Sequence, residues 1–154
     1  CLVCYLTGSS RQMNFFKEQA ERIQPILEKE NTGLSVAFFA VSSDGTITVR
    51  KPNDYVSSMI ELAGGNYSLN GYLPEEDSAL STMKMQMEDF YVAEKDADIL
   101  IYNGTIEGEL TSVDELIAKN SLFADFKAVK SGQVYTTGSN FYQQTSMTCD
   151  LLRI

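Results

Sequence analysis

The sequence predicts an α/β fold, a three-layer sandwich with a largely parallel central sheet, preceded by a long helix. Three observations carry that expectation. Ile99-Leu100-Ile101-Tyr102 is an unbroken apolar run without alternation, as a strand covered on both faces requires. A polar, helix-favouring run ending at Asp96-Ala97-Asp98 feeds it, and Asn103-Gly104-Thr105 follows as a polar loop at its carboxyl end. Strand-like and helix-like segments alternate through the rest of the chain, and right-handed crossovers turn that alternation into α/β units.

Composition bounds the function. The chain has 154 residues, 44% of them hydrophobic, which suits one domain with its own core. No stretch approaches the ~18 continuous apolar residues of a membrane span. Twelve basic against twenty-one acidic residues give a formal charge of −9, which disfavours nucleic acid and anionic membrane as partners. Histidine is absent, removing His-dependent triads, the commonest general base and every His-containing metal site. Cys1 and Cys4 form a Cys-x-x-Cys, but with only Cys149 elsewhere no closed zinc site assembles, so no metal or cofactor is expected. Cys1 opens an apolar segment instead of the polar tether of a lipidated residue, and the chain is expected to begin inside a longer protein.

Residues 1–30 are expected to be helical in the main. Met13, Phe16, Ala20, Ile23 and Leu27 recur at spacings of three and four and form a packing face, while Pro25 should kink or restart the helix. Leu34 to Val41 is the first strong strand. A turn at Ser42-Ser43-Asp44-Gly45 and a short exposed strand at Thr46 to Arg50 complete a hairpin. Asn53 or Asp54 caps a helix that runs through Val56, Met59, Ile60 and Ala63 to the Gly64-Gly65 stop. Residues 66–82 read as a long surface loop with at most one short strand.

Met83 to Lys95 reads as the helix before the central strand. Met83, Met85 and Met87 alternate and so share no helical face, which favours core filling over a methionine metal site and puts one at the surface or helix entrance. Thr111-Ser112-Val113-Asp114-Glu115 is a capping sequence. Phe123 and Phe126 anchor the next segment, Ser131-Gly132 turns the chain, and Gln133 to Thr137 is the last strand. Gly138-Ser139-Asn140 then opens a terminal helix containing Phe141, Met147, Leu151 and Leu152.

Enzyme motifs are missing. There is no Gly-x-x-x-x-Gly-Lys-Ser/Thr, no Gly-x-Gly-x-x-Gly and no Gly-x-Ser-x-Gly. The acidic pairs Glu75-Glu76 and Glu107-Glu109 read as solvated surface.

Lys51-Pro52-Asn53-Asp54-Tyr55, then Leu62-Ala63-Gly64-Gly65-Asn66, then Ala97-Asp98-Ile99-Leu100-Ile101, then Ala128-Val129-Lys130-Ser131-Gly132-Gln133-Val134-Tyr135, in that order, resemble the carboxyl-terminal lobe of an ABC-transporter solute-binding protein. The branch resembled is the one for iron complexes, siderophores, haem and cobalamin. On that resemblance residues 1–30 belong to the connector between lobes, residues 31–154 form the carboxyl-terminal lobe, and the amino-terminal lobe lies outside the chain. The implied function is non-enzymatic: an extracytoplasmic receptor that captures a ferric siderophore or haem and delivers it to a membrane permease. Cobalamin is the alternative cargo, and a small enzyme or sensor the alternative class. The isolated lobe is expected to bind ligand weakly and to dimerise through its uncovered amino-terminal segment.

Ligand contacts are expected from loops at strand carboxyl ends. Arg50, Lys51, Asn53 and Tyr55 sit where a strand meets a helix amino terminus, a place that favours an anion. Tyr102 and Asn103 follow the central strand, and Ser139, Asn140, Phe141 and Tyr142 follow the last. For Tyr102 the alternative is core packing, and for Arg50 a solvated strand edge. Tyr72 joins the set because direct iron ligation without histidine would fall to Tyr72, Tyr102 or Tyr142, a carboxylate or a methionine. A preformed chelate read by hydrogen bonds is the expectation. The resemblance also implies an exposed glutamate that pairs with permease arginines, for which Glu107 and Glu109 are the candidates.

Overall fold

A computed structural model of the chain describes residues 10–28, 31–72, 80–139 and 141. Helix α1 (Ser10–Leu27) passes through Pro25 without a restart. Of its expected packing face Ala20 and Leu27 are exposed and Ile23 is half-buried. Cys1, Cys4, Cys149, the Glu75-Glu76 pair and the expected terminal helix beyond Phe141 lie outside the described residues.

Strand β1 (Ser35–Val41) is buried from Val36 onward, because it lies in the interior of the sheet with a layer on each face. A turn with Gly45 at φ +83° leads into β2 (Ile47–Arg50), pairing Phe39 with Val49 and Val41 with Ile47. The hairpin is as expected, but β2 is not an exposed strand. It is buried because a further strand, β4 (Thr82–Met85), pairs along its outer side, Ile47 opposite Met85 and Arg50 opposite Thr82. Between them lie α2 (Tyr55–Leu62) and the short β3 (Asn66–Tyr67), which runs parallel to the start of β1.

The methionine alternation therefore has a strand as its cause. Met83 and Met85 are cross-strand core residues of β4, Met87 is the first residue of α3 (Met87–Glu94), and all three are buried. The expected helix from Met83 begins four residues late, because a period of two buries alternate side chains only on a strand. The long loop expected over 66–82 is likewise shorter: it contains β3 and the buried Tyr67 and Leu69, and its end enters β4.

Strand β5 (Ile99–Tyr102) pairs parallel with β1, Val36 opposite Ile99 through Phe39 opposite Tyr102. Asn103 then caps a single helical turn, α4 (Gly104–Glu107), where a plain loop was expected. In α5 (Val113–Lys119) the Ser112 hydroxyl accepts the Glu115 N–H, while the Glu115 carboxylate accepts the Thr111 N–H at 2.8 Å. A 3₁₀ turn (Ser121–Asp125) and α6 (Lys127–Ser131) follow, and left-handed Gly132 (φ +72°) releases the chain into β6 (Val134–Thr136).

The sheet order is β4-β2-β1-β5-β6, with β3 beside the start of β1. Only β2 runs against the other five strands, so the sheet is largely parallel. One face meets α3, the 3₁₀ turn and their neighbours through an aromatic cluster. Phe39 lies 4.9 Å from Phe90, 5.4 Å from Phe123 and 5.7 Å from Tyr102 between ring centroids. The opposite face, bearing Val36 and Phe38, meets α2 and Phe141. Three layers result.

Candidate functional site

The exit of β2 is built around Arg50. Its Nη1 donates to Ser81 Oγ at 2.9 Å and lies 3.5 Å from the Asp54 carboxylate, and its guanidinium stands 5.6 Å from the centroid of the Tyr55 ring. Tyr67 ties down its backbone, donating to the Arg50 carbonyl at 2.6 Å. Burial, and next the Glu94 carboxyl, push that phenol well above its ordinary range, so it remains a donor. Arg50 is accordingly 9% exposed, and its neighbour Tyr55 is 47% exposed. The cation holds the ring from behind.

Asn53 takes the left-handed backbone (φ +64°) that turns the chain into α2, a conformation asparagine tolerates better than most residues. Asp54 then accepts the Val56 N–H as the cap. The helix amino terminus thus already has its own anion, which satisfies the free N–H and opposes a second negative charge. Positive charge at this corner comes from half-buried Lys51, whose N–H donates to the Ser81 carbonyl at 3.0 Å. Tyr72 and Leu80, both exposed, flank residues 73–79.

The carboxyl ends of β5 and β6 form a second group. Asn103 donates its N–H to the Phe39 carbonyl at 2.7 Å, and its side chain accepts from Thr105 N–H and hydroxyl. Gly104 donates to Thr137 Oγ1 at 3.1 Å. The Glu109 carboxylate accepts the Ser139 N–H at 3.0 Å, so the acidic loop holds the β6 exit. Glu107 is exposed beside it. Tyr102 turns the other way. It is fully buried against Phe39, with Lys119 Nζ 5.8 Å from its ring centroid, and its hydroxyl has no hydrogen-bond partner.

These placements divide the expected ligand residues. Arg50 follows Val49 and Phe38 precedes Phe39, so both project from the α2 face of adjacent strands, where Phe141 packs on Phe38 at 5.8 Å. Arg50, Tyr55 and Phe141 therefore belong to one side of the sheet and Tyr102 to the other. Because β2 is reversed, its exit points toward the amino ends of β1 and β5, whereas Asn103 and Ser139 leave at their carboxyl ends. A common carboxyl edge holds only for the second group. Asn140 and Tyr142 lie outside the described residues. Among the described residues no three Cys, Asp or Glu side chains gather to hold a metal ion.

Sequence reasoning missed Ser81, which holds both Arg50 and Lys51. The methionine alternation was the signal for it, since a strand over 82–85 brings Ser81 beside the β2 exit. Buried Glu94 was missed too, one of several acidic residues in a segment that reads as solvated helix.

The model of the periplasmic binding protein family matches residues 9–141. Solved structures share the fold at low identity. The periplasmic haem-binding protein HutB of Vibrio cholerae superposes with a TM-score of 0.74 at 13% identity, over 99% of this chain and 58% of that one. A possible iron-binding periplasmic solute-binding protein of Staphylococcus epidermidis gives 0.67 at 20% identity, covering 98% and 57%. An Fe3+-hydroxamate transport protein of Saccharomonospora viridis gives 0.70 at 15%, covering 92% and 46%. This chain thus spans about half the length of each. No curated protein sequence matches it. With the family model extending over most of the chain and through both groups of loops, the chain belongs to the periplasmic binding protein family.

Proposed function

We propose that this chain is the carboxyl-terminal lobe of an extracytoplasmic receptor that binds an iron complex, a ferric siderophore or haem, and presents it to an ABC permease. Residues 1–30 serve as connector, residues 31–154 as the lobe, and a second lobe beyond this chain supplies the facing wall. The ligand is bound and released without chemistry. Family membership supports the receptor class, and the haem and iron proteins among the structural neighbours suggest the cargo.

The observation that carries the site is the Arg50–Tyr55 pair: a buried, fully engaged cation backs an exposed aromatic ring beside Lys51. That arrangement offers a planar or catecholate-like chelate a ring to lie on and an ammonium for its charge. Tyr55 and Lys51 make the contacts, Tyr72 and Phe141 are further members of the proposed set, and Arg50 and Asn53 are positioning residues. Asn103 and Ser139 shape the second loop group, and Glu107 is the permease contact. On this reading iron arrives already chelated and is held through its chelate by the exposed ring and the ammonium.

The test is titration of the two-lobed protein with haem and with a ferric hydroxamate. Tyr55→Ala with Lys51→Ala weakens binding at least about tenfold, roughly 1.4 kcal/mol, without lowering Tm, since neither side chain is core. Unchanged affinity for both ligands would remove the wall from this corner. Mass spectrometry of the released ligand should return it intact, and a product would make the protein an enzyme.

A further inference from the structure

We infer that Asn70 is a site of spontaneous modification, where the backbone nitrogen of Gly71 closes on the Asn70 side-chain amide and converts it to aspartate and isoaspartate. The sequence holds two Asn-Gly pairs, Asn70-Gly71 and Asn103-Gly104. Glycine is the favourable residue after asparagine for this reaction, because no Cβ hinders the approach of its nitrogen to the amide carbon. Sequence alone ranks the two pairs equally, and the structure separates them.

The reaction needs a nucleophile that water can reach and a side chain that can turn onto it. At Asn70 both are present. Asn70 and Gly71 are exposed and form the corner of a turn closed by the Tyr72 N–H on the Leu69 carbonyl at 2.9 Å. The Gly71 N–H has no acceptor among the described residues, and a Cβ built on Gly71 would meet no atom within 4 Å. The Asn70 amide is held from one side only, its Nδ2 donating to the Glu61 carboxylate in the last turn of α2. That bond joins two exposed side chains, and water replaces it at little cost.

Asn103 has the opposite surroundings. It is 5% exposed, and its Oδ1 accepts the Thr105 N–H at 3.2 Å and the Thr105 hydroxyl at 2.7 Å. The Gly104 nitrogen is buried and donates to Thr137 Oγ1 at 3.1 Å. Before that nitrogen can attack, the junction of the β5 and β6 exits must open and expose several buried polar groups together.

The step needs no oxidant and no cofactor. The Gly71 nitrogen bonds to Asn70 Cγ, the Cγ–Nδ2 bond breaks, and Nδ2 leaves as ammonia with the proton that Gly71 gave up. Water then opens the resulting succinimide at either carbonyl, leaving aspartate or isoaspartate. Either product puts a carboxylate where an amide donor faced Glu61, so a hydrogen bond becomes a repulsion beside a helix carboxyl end that is already negative. Isoaspartate also adds a methylene to the main chain inside the Leu69 to Tyr72 turn. Modification therefore releases this turn from α2. This inference is independent of the ligand reading.

The test follows both pairs in the folded chain. The protein is held in mildly alkaline buffer, sampled over time and digested, and each Asn-Gly peptide is followed by mass spectrometry for the exchange of amide for acid, with an isoaspartyl methyltransferase marking isoaspartate. Conversion at 70 is expected to run at least about tenfold faster than at 103, mostly to isoaspartate, and Gly71→Ala to slow it by about as much. In denaturant the two pairs should convert at similar rates. Equal rates in the folded chain, or a faster reaction at 103, overturn the proposal. So does a rate at 70 far below its rate in denaturant, because the fold would then protect it. A difference that persists in denaturant overturns it too, since local sequence and not the fold would then set it.

Discussion

Glu109 accepts the Ser139 N–H at 3.0 Å, joining the loop after β5 to the loop after β6. The two members of the acidic pair therefore differ, since Glu109 is occupied within the lobe and Glu107 points its charge to solvent. Glu107→Ala should reduce permease-dependent uptake and leave ligand affinity and Tm unchanged. Glu109→Ala should free Ser139 and weaken ligand binding, with Glu109→Gln restoring much of it because the amide oxygen still accepts. Equal behaviour of the two alanine variants in binding and uptake would show that the bond does not separate their roles.

The same junction leaves no room at Gly104. A Cβ built there would stand 2.3 Å from the Thr137 carbonyl oxygen and 3.1 Å from Glu109 Cα, both backbone. Backbone cannot swing aside as a long side chain does, so Gly104→Ala must push the two loops apart. The expected cost is about 1–3 kcal/mol, the usual range for overpacking. A thermal melt checks it, and a Tm equal to that of the parent protein would mean that the loops tolerate separation.

Where hydrophobic period and covering layers agreed, the fold was legible. Buried β1 and β5 stood out as apolar runs, and the helix at 55–62 was bracketed by Asp54 and Gly64. Period failed at Met83 to Met87, where a two-residue alternation sits directly before a helix and was absorbed into it. Topology failed at β2. The expected hairpin already reverses β2, but that reversal was not carried through to its exit, and so Arg50 was grouped with the carboxyl-edge loops. Burial of single polar residues is harder still. Tyr102 ends an apolar run covered on both faces and so was open to core packing, whereas Tyr55 follows a polar cap, but which of the two a ligand could reach depends on the face each strand or helix presents.

Asp98 clamps the starts of β1 and β5. Its carboxylate receives Lys127 Nζ at 2.6 Å and the Ser35 N–H and hydroxyl at 2.9 and 3.0 Å. The Lys127 contact first, and the Ser35 bonds next, hold its pKa down to about 2. A depressed carboxylate contributes stability that is present above the unfolded value near pH 4 and is lost as pH falls toward 2. Asp98→Ala should lower Tm by a few degrees at pH 7 and flatten the acid limb of the stability curve. An unchanged acid limb would place the acid sensitivity elsewhere.

Glu94 makes the opposite prediction. It closes α3 at 1% exposure, neither carboxyl oxygen has a hydrogen-bond partner, and the helix carboxyl end adds no positive charge. The nearby Ser68 hydroxyl pulls its pKa back, but it donates to the Val36 carbonyl at 2.9 Å, and burial dominates, raising Glu94 to about 7. A raised acid leaves the folded state protonated while the unfolded chain ionises, so stability is full below about pH 4.5 and declines as pH rises to 7. The whole decline is roughly 3 kcal/mol at about 1.36 kcal/mol per unit. Glu94→Gln keeps the neutral shape and should remove that slope, making the variant more stable than the parent at pH 8 and nearly equal to it at pH 4. Infrared spectra at pH 5 should show a protonated carboxyl band that this substitution deletes. Parallel stability curves from pH 4 to 8 for the two proteins would mean that Glu94 ionises as freely in the folded state as in the unfolded one.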